Sequence, residues 1–97
     1  MDRDQFQRIA KALADPRRLA ILERIGAREE IACAALCEKS PVSQATMSHH
    51  LKELVNAGLI KERRQAKFVF YRLQSKVWDR YLAEMRRRIP TGRRKKD

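Results

Sequence analysis

The stretch SQATMSHHLKELVNAGLI, residues 43–60, decides the reading of this chain. Met47, Leu51, Leu54 and Val55 recur at helical spacing and predict one buried stripe. The opposite side collects Ala45, Thr46, His49, Lys52 and Glu53, with Gln44 and Ser48 flanking near the start. Ser43 is placed to cap the amino end, and Gly58 to end the helix after Ala57. An ordinary solvated helix would carry more Glu/Lys pairs four residues apart. Gln, Thr, Ser and His at the exposed amino-terminal end instead suit entry into the major groove of double-stranded DNA, where such side chains reach base edges.

Upstream, residues 4–14 place Phe6, Ile9, Ala10 and Leu13 on one face of a first helix. Asp15-Pro16 supplies an N-cap and a first-turn proline for a second helix, which turns Leu19, Leu22 and Ile25 inward and stops at Gly26. A short third helix over about residues 29–37 offers Ile31, Ala35 and Leu36 to the core. Residues 38–42, EKSPV, break the pattern and predict a turn.

Downstream of Gly58 the period changes to two. Residues 59–63 and 67–73 predict a β-hairpin with a charged tip at 64–66 that lacks the usual glycine. A last helix over 75–88 carries Val77, Trp78, Tyr81, Leu82 and Met85 on one face. Pro90 and Gly92 end it, so residues 1–90 read as one domain and 91–97 as a disordered basic tail. The expected fold is mainly α with a two-stranded β-wing, a winged helix-turn-helix. Arg63, Arg64 and Lys67 on the hairpin, with Lys52 on the helix, are then expected along the phosphate backbone. Arg17 and Arg18, opening the second helix, are secondary candidates.

Lys and Arg total 23 against 12 acidic residues, a net charge of +11. The last five residues, four cations and one Asp, carry +3 of this, which leaves +8 on the rest. Such an excess favours a polyanionic partner. Three Phe, two Tyr and one Trp are too thinly spread for a platform that stacks single-stranded bases. No run approaches the roughly 18 apolar residues of a membrane span, and no signal-peptide pattern opens the chain. Two cysteines are too few for a disulfide framework, so the cytoplasm is the expected compartment. No phosphate loop, nucleophile elbow or catalytic carboxylate pair is present, which excludes an enzyme reading.

The chain resembles the ArsR/SmtB family of bacterial transcriptional repressors over roughly residues 6–88. Four blocks carry the resemblance: ALADPRRLAIL (12–22), SQATMSHHLKEL (43–54), AGLI (57–60) and RQAKFVFYRL (64–73). It implies a homodimer with the first and last helices packed across the two-fold axis, bound to a palindromic operator. The interface would then hold Phe6, Ile9, Trp78, Tyr81, Leu82 and Met85. The base-reading residues would be Gln44, Thr46, Ser48 and His49. A partner helix would also bury an apolar face that a chain of this size has few other places to cover. His50 is expected to pack and hydrogen-bond.

Metal-sensing relatives use Asp and His ligands in the final helix; this one has Asp79 and no histidine. No Cys-x-Cys pair stands at the third helix. Cys33 and Cys37 stand there instead, four residues apart on one helical face, spaced to share a soft ion such as As(III). The alternative roles of this pair are core filling and thiol oxidation. No cofactor is required. Two other functions fit the same residues: an autoregulatory repressor governed by a protein partner without a small-molecule inducer, and a non-specific nucleic-acid-binding protein.

Overall fold

A computed structural model describes residues 1–93. Its elements are α1 (Arg3–Leu13), α2 (Pro16–Gly26), β1 (Ile31–Ala32), α3 (Cys33–Glu38), α4 (Gln44–Asn56), β2 (Ile60–Gln65), β3 (Phe68–Leu73) and α5 (Ser75–Arg88), followed by a 3-10 turn over Thr91–Arg93. Of the tail expected over residues 91–97, residues 91–93 form that turn and 94–97 lie outside the described residues.

The helix starts are set by local chemistry. Asp2 accepts from the backbone N–H of Gln5, Asp15 from those of Arg17 and Arg18, and Ser43 from that of Thr46, each occupying an otherwise orphaned donor of a first turn. Helix α4 ends in paired bonds from Gly58 N–H to the Val55 carbonyl and from Leu59 N–H to the Leu54 carbonyl. Gly58 takes φ +81° there, and the Gln5 side chain packs so close that a Cβ would meet its Nε2 at 2.7 Å. The positive φ is what requires glycine, since the Gln5 amide is the far end of a flexible side chain and can swing aside.

The sheet has three strands, not two, in the order β1-β3-β2, all antiparallel. Ile31 pairs with Tyr71 and Ala32 with Phe70, so residues expected in the third helix serve as an edge strand. Ile31 is buried either way, but the β-branched residue gains a ladder partner that a helix would deny it. What remains of α3 is six residues without a side-chain N-cap. Arg24 of α2 holds its other end, donating to the carbonyls of Leu36 at 2.9 Å and Ala35 at 3.0 Å.

Strands β2 and β3 join through Ala66 and Lys67, with Ala66 at φ +53°. An alanine in that region costs roughly 1–2 kcal/mol, the consequence of a tight tip without glycine. The core gathers Ile9, Ile25, Leu36, Met47, Leu51, Leu54, Leu59 and Ile60, all essentially inaccessible to solvent. No helix among the described residues is long and apolar enough to cross a membrane.

Candidate nucleic-acid interface

Helix α4 buries Met47, His50, Leu51 and Leu54 against α2, α1 and the base of β2. That leaves Gln44, Ala45, Ser48, His49 and Lys52 exposed in one stripe, with Thr46 half-buried beside them. The Ser43 hydroxyl donates to Thr46 Oγ1 at 3.0 Å while accepting from the Thr46 N–H at 3.1 Å. Thr46 is therefore part of the cap as well as of the exposed stripe. The amino end of α4 thus presents amide, hydroxyl and imidazole groups to solvent on a rigid frame.

The wing supplies cations, but not all those expected. Lys67 is exposed at the tip, its ammonium 5.7 Å from the Phe68 ring centroid. Arg64 is exposed and reaches Glu62 only through Nε, at 2.8 Å. Arg63 differs from the expectation of a phosphate contact: its guanidinium is committed to Glu30, Gln65 and the face of Phe70. Glu30 lies 33 residues away, so no local pattern announces the pairing. Phe68, 54% exposed beside Lys67, is an apolar group on this surface that strand alternation alone did not single out. Of the secondary candidates, Arg17 is exposed, while Arg18 is turned into the protein.

Arg18 bridges the start of α2 to α4. Its Nε donates to His50 Nδ1 at 3.3 Å, and one terminal nitrogen lies 3.7 Å from Asp15 Oδ2. Because Nδ1 accepts, the neutral ring carries its proton on Nε2, which is buried without a partner. Burial pushes the His50 pKa down, partly offset by Asp15 and reinforced by Arg18, His49 and Arg17. A folded-state value below the unfolded one means stability contributed above the unfolded value and lost as pH falls. Unfolding measured from about pH 8 to about pH 5 is expected to show wild type losing stability relative to His50→Gln below roughly pH 6.5. Parallel curves would contradict that assignment.

The residues expected at a dimer contact separate into two groups. Ile9 is wholly buried in the protomer's own core, and Phe6 and Tyr81 nearly so. The Phe6 and Tyr81 rings pack tilted, with centroids 5.2 Å apart, and the Arg88 guanidinium lies 3.9 Å from the Phe6 ring centroid. Phe6, Tyr81 and Arg88 fasten α5 to α1 within one chain, and Ile9 leaves no accessible surface in the protomer. Trp78 lies against Tyr81 and is half-buried, whereas Leu82, Met85 and Ile89 remain exposed.

Cys33 and Cys37 face one another on α3 and are free thiols. Burial pushes the Cys33 thiol up, and neighbouring Cys37 and Glu62 push it further. Among the described residues no group of three or more Cys, His, Asp or Glu is arranged to hold a metal. The third ligand that a closed site would need is not supplied by this chain's described residues.

Residues 13–63 match the model of a helix-turn-helix domain family. The chain is 37% identical over 79 residues to the arsenical resistance operon repressor of Staphylococcus xylosus, covering 81% of this chain and 75% of that one. It is 38% identical over 76 residues to the SmtB repressor homolog of Synechocystis, covering 75% of this chain but only 57% of the relative. The solution structure of the homodimeric winged helix-turn-helix DNA-binding domain Mb0332 from Mycobacterium bovis superposes with a TM-score of 0.71 at 28% identity, covering 97% of this chain and 88% of that one. A hairpin wing on a three-stranded sheet, a capped α4 with a polar outer stripe and these matches converge: the chain belongs to the ArsR/SmtB family of winged helix-turn-helix, DNA-binding transcriptional repressors.

Proposed function

We propose that this repressor binds an inverted-repeat operator as a homodimer, inserting α4 of each protomer into successive major grooves. The observation that carries the reading is the exposed row Gln44, Ser48 and His49, with Thr46 beside it, on the outer side of an α4 whose inner side is locked into the core. These groups can donate to and accept from base edges, while Lys52, Lys67 and Arg64 meet phosphates. The partly exposed Trp78 and exposed Leu82 and Met85 on α5 supply the self-association surface. The raised Cys33 thiol and the lack of a third ligand among the described residues support a packing role for the cysteine pair over a soft-ion site.

Selection of bound sequences from random duplex tests the reading directly, and an inverted repeat is the expected product. On that repeat, His49→Ala is expected to cost about 1–3 kcal/mol and to relax the base preference at one position per half-site. Lys67→Ala is expected to weaken operator and random duplex alike and to flatten the salt dependence by about one phosphate. Equal losses on both duplexes for both variants would refute the division between reading and gripping residues. The absence of any selected sequence would leave a non-specific binder.

A further inference from the structure

One ion pair on the outer face of the sheet is built more fully than a solvated surface pair needs to be. Glu30 closes the loop before β1 at one edge of the sheet, and Arg63 lies on β2 at the other, with β3 between them. The Arg63 side chain crosses β3. Its Nε donates to Glu30 Oε2 at 2.8 Å and Nη2 donates to Oε1 at 2.7 Å. The remaining Nη1 donates to Gln65 Oε1 at 2.8 Å, and the guanidinium carbon sits 4.4 Å from the centroid of the Phe70 ring. Every nitrogen of the group is engaged: a two-pronged fork on a carboxylate, an amide and an aromatic face. The Arg63 hydrogen bond holds the Glu30 carboxyl below the usual carboxylate range and raises Arg63 in turn.

An exposed pair of this kind adds little to stability. Its effect on charge is larger. Each phosphate neutralised by a cation adds about 0.9 to the slope of log affinity against log salt. A wing arginine locked to a carboxylate is withdrawn from that sum. We infer that Glu30 is a positioning residue for DNA binding: it straps Arg63 across the sheet and holds it off the phosphate backbone, leaving the tip to grip through Lys67 and Arg64. The strap sets how many phosphates the wing engages, and so how much of the affinity is indifferent to sequence.

The test is the salt slope of binding to the selected operator, in four forms of the full chain. Glu30→Gln frees Arg63 and is expected to steepen the slope by about 0.9, with tighter binding at low salt on operator and random duplex alike. Glu29→Gln removes the same charge from the adjacent exposed position without freeing Arg63, and is expected to match wild type. The double variant Glu30→Gln/Arg63→Gln removes the strap whole and is also expected to match wild type. A double variant whose slope flattens by about 0.9 would show that Arg63 already contacts phosphate and would overturn the inference. So would an unchanged slope in Glu30→Gln.

Should Glu30→Gln fail to fold, the Arg63 Nε–H resonance of wild type answers the same question. It is expected to keep its shift when operator is added, and movement onto a phosphate-like shift would overturn the strap. The inference rests on the operator-binding reading, yet the two fail separately. Wild type without any duplex preference sinks that reading, whereas an operator-selective wild type with the wrong slopes sinks only the strap.

Discussion

Leu82→Glu combined with Met85→Glu is expected to yield a folded monomer whose operator affinity is lower by roughly 100-fold or more. Both side chains sit on the outer face of α5, 40% and 36% exposed, so charging them removes no core contact. In a dimer the second half-site is bound at high effective concentration once the first is occupied. A monomer forfeits that gain and must hold each half-site alone. Two carboxylates placed on each side of a shared apolar seam would also be buried against like charge. Sedimentation gives the mass, circular dichroism the fold, and titration of operator against an isolated half-site the lost avidity. A variant that remains dimeric would place the self-association surface elsewhere. Wild type that sediments as a monomer at micromolar concentration would remove it altogether.

Leu51→Ala is the variant expected to damage the fold most. Leu51 is 1% exposed and lies on the inner side of α4, two residues from the outward His49. Truncation leaves a cavity beneath the helix that must stay rigid for base reading, at a cost of about 2–5 kcal/mol. Small domains hold about 5–15 kcal/mol in total, so a large part of the stability goes. Urea unfolding followed on wild type, Leu51→Ala and His49→Ala separates packing from recognition. Leu51→Ala should shift the midpoint strongly, with operator affinity preserved for molecules that stay folded. His49→Ala should leave the midpoint near wild type and lose affinity. A loss below roughly 1 kcal/mol for Leu51→Ala would mean that α4 is not seated as described.

The element order was legible without coordinates because the signals are local. The Asp15-Pro16 start, the Ser43 cap and the Gly58 stop each depend on residues within one helical turn, and all three operate in the structure as read. The outer stripe of α4 follows from a period of 3.6 residues and an unambiguous apolar side. The switch to strands after Gly58 follows from β-branched and aromatic alternation in KFVFYRL.

Where the reading fell short, the deciding partner was distant. Ile31 and Ala32 fit a helix or a strand equally by pattern, and only pairing with Tyr71 and Phe70 makes them an edge strand. The resemblance implies Phe6 and Tyr81 at the two-fold contact, and only the docking of α5 onto α1 sets the two rings against each other within one protomer. Arg63 looked like one more free cation until folding brought Glu30 across the sheet. Periodicity and caps are written in neighbouring residues, so the sequence by itself determined the helices, the β2–β3 hairpin, their order and the polar face of α4. Partnership between residues 33 to 75 apart depends on how the chain closes on itself, so the third strand, the inward rings and the neutralised arginine were decided by tertiary structure alone.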